Sequence, residues 1–112
     1  MSIDNVREFC LSLPHATEGI QWENDLLFRI GGKMFVVISL EDGSLSFKCT
    51  PEEFAELTTR DGIEPAHYVG RYHWITVRRL EALRSSELRR LIQDSYRMIY
   101  RKLPAKIKKR LG

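Results

Sequence analysis

The segment LLFRIGGKMFVVISLEDGSLSFKC, residues 26–49, decides the fold of this 112-residue chain. It contains three short apolar runs separated by two turn signals. The runs are 26–30, 34–40 and 45–49, and the turns are Gly31-Gly32 and Glu41-Asp42-Gly43-Ser44. Short Gly-rich and Asp-Gly connections are typical of antiparallel strand pairs. In the third run apolar residues alternate with Ser46 and Lys48, which indicates one buried and one exposed face. The segment therefore predicts an antiparallel meander.

Helical patterns flank this meander on both sides. Apolar residues recur at i, i+3, i+4 and i+7 from Ile3, with Ser2 as the N-cap and Pro14 as the end of the first helix. Residues 50–53 (TPEE) form a capping box that predicts a short helix with Phe54 and Leu57 on its apolar side. A final helix, capped by Ser85 or Ser86 and ended or kinked by Pro104, is predicted from a longer apolar stripe. The stripe consists of Leu88, Leu91, Ile92, Ser95, Tyr96, Ile99 and Leu103.

The remaining segments complete an α+β domain. We expect a further strand at 19–22, a loop around Pro65, a strand at 72–77, and either a helical turn or a frayed tail at 105–111. The chain should then form one domain over residues 1–112 with a basic C-terminal segment, 104–112. Its helices should pack on one face of an antiparallel sheet and leave the other face available.

Charge is distributed unevenly along the chain. The overall formal charge of +3 conceals a first half, residues 1–56, with 4 Lys/Arg and 10 Asp/Glu, and a second half with 14 Lys/Arg and 5 Asp/Glu. The composition, 43% hydrophobic and 29% charged, is that of a globular protein rather than a disordered or membrane chain. A basic half of this kind indicates a polyanionic partner, either nucleic acid or an anionic surface.

Cysteine usage and the N-terminus predict a cytoplasmic protein without cofactors. Cys10 and Cys49 are too few for a disulfide scaffold and belong to no C-x-x-C pair, so we interpret them as buried thiols. The first residues show an amphipathic pattern with Asp4 and Glu8, which is not typical of a signal peptide. The longest apolar run, 34–38, is far shorter than the roughly 20 residues of a membrane span.

Two basic regions are candidates for nucleic-acid contacts. The segment HYVGRYHW, residues 67–74, alternates aromatic with basic or titratable side chains, and the last 16 residues hold seven Lys/Arg and no acid. Aromatic rings can stack on bases while cations hold phosphates, and a β-ribbon could enter a duplex groove. A third group, Arg90, Arg97 and Arg101, is equally explained as a solvated helix face paired through Asp94. The predicted nucleic-acid-binding residues are Lys48, Arg71, Tyr72, His73, Arg78, Arg79, Lys106, Lys108, Lys109 and Arg110.

Other chemistry has less support in the sequence. His67 and His73 could join Cys49 or Glu64 around a metal ion, but no characteristic ligand spacing occurs, and we predict no metal site. Gly31-Gly32-Lys33 lacks the spacing of a phosphate-binding loop and is explained by a hairpin turn.

A set of short motifs occurs in order along nearly the whole chain. They are Leu13-Pro14, FRIGGKMF (28–35), FKCTPE (47–52), GIEPA (62–66), His73-Trp74, Leu91-Ile92, Ser95-Tyr96 and Lys102-Leu103-Pro104. In this order and spacing they resemble the MmcQ/YjbR family of small bacterial proteins. The resemblance implies a CyaY-like α+β fold and DNA binding through a double-wing arrangement.

The resemblance also suggests roles for individual residues. It extends to Lys48 on the exposed strand face, to His73-Trp74 at the entry of a strand and to Ser95-Tyr96. The last two fall on the apolar side of the final helix, so we interpret them as packing residues with satisfied hydroxyls. The related frataxin-like fold implies iron binding as an alternative, which would need an acidic ridge that the first helix lacks.

Three hypotheses about function follow. The first is a non-enzymatic DNA-binding or regulatory protein. The second is a protein–protein adaptor or small-ligand-binding module, in which the acidic and basic halves mediate docking or homodimer formation. The third is an enzyme with His67 or His73 as general base, which would require a concave pocket. Trp74 is expected in the core.

Overall fold

Six antiparallel strands and four helices make up the chain in a computed structural model that describes residues 1–112. The helices are α1 (Ile3–Ser12), α2 (Pro51–Leu57), α3 (Ser85–Arg101) and α4 (Ala105–Leu111). The strands are β1 (Thr17–Gln21), β2 (Asp25–Ile30), β3 (Lys33–Ser39), β4 (Leu45–Lys48), β5 (Ile63–Pro65) and β6 (Trp74–Val77). They form one sheet in the order β1-β2-β3-β4-β6-β5, which confirms the predicted α+β class and the meander at its centre. None of the helices combines the length and apolarity needed to cross a bilayer.

The sheet separates a helix-covered face from an open face. Val36 and Ile38 of β3 and Phe47 of β4 point toward the helices and belong to a cluster of 20 buried apolar residues. Phe35 joins them because a bulge in β3 places two successive side chains on this face: Phe28 pairs with Val36, while the next residue of β2 pairs with Met34. Residues between these positions face the opposite side, where no helix packs.

Both predicted caps of the first two helices are confirmed. The Ser2 hydroxyl accepts the Asn5 amide N–H, and the Thr50 hydroxyl accepts that of Glu53. In each case the third residue of the helix reaches back to the amide of the cap, which completes a capping box. After α2 the chain turns into β5, which forms one edge of the sheet.

Three local predictions were wrong. The segment around Pro65 is not a loop but β5, an edge strand on which a proline is tolerated because no neighbour needs its missing N–H. The strand predicted at 72–77 begins only at Trp74, since Gly70–Tyr72 forms a 3₁₀ turn and His73 has a left-handed backbone (φ 67°). Neither serine caps α3: the cap residue is Arg84, whose backbone is extended, and Ser85 is already helical.

The segment after Pro104 is a helix that packs against the β2–β3 turn. Gly31, with φ +58°, lies so close to it that an added Cβ would be 2.6 Å from Leu103 and 2.9 Å from Ile107. Such distances admit no side chain, so the backbone of this turn touches α4 directly. Of the two alternatives left open for residues 105–111, a helical turn or a frayed tail, the structure shows the helix.

Candidate functional site

Lys48 lies where the open face of the sheet meets the end of α3. It ends β4 and pairs with Trp74 of β6. Its Nζ donates a 2.6 Å hydrogen bond to the carbonyl oxygen of Tyr72. Burial lowers the pKa of the Lys48 ammonium, and the positive charge of Lys102 lowers it further. The side chain is thus held in one position with a second cation nearby.

A cavity of about 360 Å³ opens beside Lys48, and we call it the basic cavity. Lys48, His73, Arg101 and Lys102 supply its charged or titratable side chains, and no carboxylate lines it. Cys49, Thr50, Pro51 and Met98 complete the lining. Converging cations without a counter-charge make this a surface that attracts anions.

Local backbone structure positions His73 in the basic cavity. Its left-handed conformation turns the chain from the 3₁₀ segment into β6. Its carbonyl oxygen accepts the amide N–H of Cys49 at 2.9 Å, and the Cys49 Sγ lies 3.4 Å from the same oxygen. The imidazole packs edge-on against Phe54, with ring centroids 5.4 Å apart. A residue outside the usual backbone regions is held here by several contacts, as is common at binding sites.

Neither cysteine is suited to nucleophilic chemistry. Both are buried free thiols, as predicted. Burial raises the pKa of Cys10 to about 12. Burial, and to a lesser extent the negative charge of Glu53, raises the pKa of Cys49 to about 12. The thiol form therefore predominates at neutral pH. His67 and His73 line different cavities, and no group of three or more His, Cys, Asp or Glu side chains is arranged to hold a metal ion.

The positive surface of the basic cavity continues onto α4. Lys108 is committed to the protein: its Nζ donates to the Arg101 carbonyl oxygen at 2.8 Å and lies 5.5 Å from the centroid of the Tyr100 ring. Lys106, Lys109 and Arg110 are exposed and form no ion pair. We call the set Lys48, Arg101, Lys102, Lys106, Lys109 and Arg110 the basic surface.

Arg78 and Arg79, at the other end of β6, are neutralised by acids. Arg78 donates to Glu64 at 2.9 Å and lies 3.4 Å from Asp42, while Arg79 lies 3.1 Å from Asp61. The structure therefore does not join them to the basic surface.

Two other predicted groups also have partners. Arg71 lies 4.8 Å from the ring centroid of its neighbour Tyr72, and both side chains are exposed. In the α3 stripe, Arg90 pairs with Glu53 and Asp94, and Arg97 with Asp94, which agrees with a solvated, paired helix face. Arg101 departs from this stripe by lining the basic cavity.

The open face of the sheet holds a second cavity, of about 580 Å³, which we call the open-face cavity. The loop Ala66–Val69 contributes to its lining, and residues of β2, β3, β4 and β6 form its floor. Its lining is Trp22, Asp25, Met34, Val37, Ser39, Ser44, Ser46, Ala66, His67, Tyr68, Val69, Trp74, Thr76 and Arg78. Trp74 is buried, as predicted, but it lies on this face and not in the helix-covered core.

Sequence reasoning missed much of both cavities. Met98 and Lys102 were not singled out for the basic cavity, although Lys102 belongs to a family motif. Trp22 had only one local signal, an aromatic residue in a turn position where small polar residues are usual.

Two solved structures of other proteins have the same fold as this chain. A crystal structure of the Deinococcus radiodurans protein DR2400, with a DUF419 domain, has a TM-score of 0.87 at 27% identity and covers 99% of this chain and 88% of its own. A crystal structure of a Pseudomonas syringae protein has a TM-score of 0.72 at 24% identity, covers 88% of this chain and 99% of its own, and supports the fold alone. No curated protein matches the chain. The YjbR family model matches residues 11–98, which is most of the chain. The protein is accordingly a member of the YjbR family, as the resemblance to MmcQ/YjbR proteins implied.

Proposed function

We propose that this protein binds DNA without catalysing a reaction, and that the basic surface holds the phosphates. The observation that carries the proposal is the basic cavity, where three Lys/Arg side chains and His73 converge without a carboxylate. Phosphate oxygens are strong acceptors for such groups, and each neutralised phosphate releases condensed counterions. The exposed cations of α4 extend the surface beyond one phosphate.

The pairing of charges indicates which predicted contacts matter most. A cation already bonded to a carboxylate gains less from a phosphate, because it must leave its partner or keep its compensating charge. Arg78 and Arg79 are in this position, whereas Arg101 and Lys102 are not. We therefore expect binding to depend on the end of α3 and on α4 more than on the end of β6.

Fluorescence anisotropy of a labelled single-stranded oligonucleotide, measured at several salt concentrations, tests the proposal. We compare R101Q/K102Q with R7Q/R79Q, two exposed arginines paired with Glu18 and Asp61. Both double variants lose two positive charges, so their net charge matches. If two phosphate contacts are lost, the slope of log K against log salt should become shallower by about 1.4 in R101Q/K102Q.

The slope of R7Q/R79Q should stay close to that of the unchanged protein. The proposal is overturned if the protein fails to bind DNA even at low salt. It is also overturned if both double variants lose affinity equally, since attraction would then depend on net charge alone and not on the basic surface.

A further inference from the structure

The open-face cavity differs from an ordinary surface depression in the aromatic residues at its rim, in its apolar floor and in its place beside the basic cavity. Its floor is formed by Trp74, 6% exposed, together with Met34 and Val37, and Trp22 and Tyr68 stand at its rim. The volume of about 580 Å³ lies within the range of small-molecule sites. The exposed rings of Trp22 and Tyr68 offer faces on which a planar aromatic group could stack, above a floor that includes Trp74.

The rim aromatics are costly to the free protein. Trp22 is 64% and Tyr68 96% exposed, so neither gains much from burial. Both also have left-handed backbones, with φ of 50° and 65°, where glycine and asparagine are favoured. Strained backbones and exposed apolar side chains are both common at binding sites, where a bound group can stack on aromatic residues placed in this way.

The polar groups of the open-face cavity favour a neutral ligand with hydrogen-bonding edges. The hydroxyls of Ser46 and Thr76 lie 2.9 Å apart on the floor, and each can donate or accept. The carboxylate of Asp25 lines the cavity and would repel a phosphate but accept an amino group. Arg78, the cation of the lining, is already bonded to Glu64 and Asp42.

The two cavities adjoin. Trp74 of the open-face cavity and Lys48 of the basic cavity are register partners on neighbouring strands, with side chains on the same face. A group bound over Trp74 is therefore next to the cations that attract phosphate. A nucleotide has this combination of a neutral, planar base and an adjoining anionic phosphate.

We propose that the open-face cavity accepts an unpaired nucleobase of a single strand whose phosphates lie on the basic surface. This inference rests on the proposed DNA binding and narrows it to single-stranded DNA. Duplex DNA keeps its bases stacked and paired, so it could use only the basic surface. Adenine, guanine and cytosine, which present an amino group to Asp25, should be preferred over an abasic sugar.

Tryptophan fluorescence reports on this site without a label. The chain has two tryptophans, Trp22 and Trp74, and both line the open-face cavity. The probes are an oligodeoxyadenylate of about ten nucleotides, close to the site size of small single-strand binders, and an abasic strand of the same length. Duplex DNA of equal length and free adenosine complete the set.

We expect the oligodeoxyadenylate to quench the tryptophan fluorescence and to bind about 5- to 150-fold more tightly than the abasic strand, the range for stacking of one base. Y68A and W22A should lose most of this difference, and I20A, which removes an exposed side chain outside the cavity, should keep it. R101Q/K102Q should weaken the binding of the oligodeoxyadenylate and of the abasic strand by the same factor.

Each other outcome decides against the inference. Equal affinity for single-stranded, abasic and duplex DNA, with dependence on Arg101 and Lys102, would leave DNA binding intact and overturn the base site. Adenosine bound as tightly as the oligonucleotide would make the cavity a small-molecule site instead. Failure of every nucleic acid to bind at low salt would overturn the proposed function and the inference together.

Discussion

Replacing Ser95 with alanine removes one hydroxyl that joins α3 to two strands. Strands β3 and β4 pair from Ile38 and Leu45 as far as Val36 and Phe47, and the ladder stops where the bulge begins. At the next position the Ser95 hydroxyl takes the place of a direct strand-to-strand bond. It accepts the Lys48 amide N–H at 3.1 Å and donates to the Phe35 carbonyl oxygen at 2.8 Å.

The expected cost follows from the groups that lose their partner. Ser95 and Phe35 are fully buried and Lys48 is half-buried. Water therefore has little access to the Lys48 N–H and the Phe35 carbonyl oxygen once the hydroxyl is removed. Each buried group left without a partner costs about 1–3 kcal/mol. Alanine has a higher helix propensity than serine, which offsets about 0.5 kcal/mol of this cost. We expect S95A to lower the free energy of unfolding by roughly 2–4 kcal/mol, a large share of the 5–15 kcal/mol typical of a domain.

Urea denaturation followed by circular dichroism measures this change. With an m-value of about 2 kcal/mol/M, the midpoint should fall by about 1–2 M. S86A is the matched control, because Ser86 is exposed in the first turn of the same helix and should change stability by no more than about 0.5 kcal/mol. If the midpoint of S95A moved no further than that of S86A, the hydroxyl bridge would not be a structural element and the reasoning would be refuted.

Two further predictions concern the packing of α4 and the buried thiols. G31A should unfold at lower urea than G32A: both glycines have left-handed backbones, but only at Gly31 would a Cβ collide with α4; equal midpoints would contradict this packing. Cys10 and Cys49 should react with a disulfide reagent at pH 8 only after unfolding, because burial raises each pKa to about 12; rapid labelling of the native protein would be the contrary result. Since the unfolded thiols have an ordinary pKa near 9, they release protons first, and stability should fall as pH rises from 9 toward 12. Replacing both cysteines with alanine should remove this loss of stability, as measured by urea denaturation at pH values between 9 and 12.

The fold was predictable where local pattern and tertiary structure agree. The meander at 26–49 combines β-rich runs with turn residues, and the capping boxes at Ser2 and Thr50 depend on neighbours three residues away. Such signals need no knowledge of distant contacts. The β5 strand is different, because three residues ending in proline have no strand pattern of their own. Their conformation depends on pairing with β6, whose partner residues lie 10 to 14 residues further along the chain.

The candidate site was less predictable for the same reason. Whether an arginine is available to a ligand depends on the acids beside it in space. Arg78 finds Asp42, 36 residues earlier, and Arg90 finds Glu53, 37 residues earlier. Helical periodicity places Arg101 on a stripe with Arg90, yet only the folded chain brings it beside Lys48. A residue list read from sequence therefore contains both neutralised and unpaired cations without distinguishing them.

The uneven charge of the two halves acquires a spatial meaning from these pairs. Acids of the first half, including Glu18, Asp42 and Glu53, are used against arginines, and so are Glu64 and Asp61 of the second. The basic cavity and the exposed face of α4 have no such acid within ion-pairing distance. An excess of positive charge without acid partners therefore lies at the basic cavity and on the exposed face of α4. Attraction to a polyanion should then have a direction, bringing a strand first to α4 and Lys102 and from there to Lys48, beside which the open-face cavity begins.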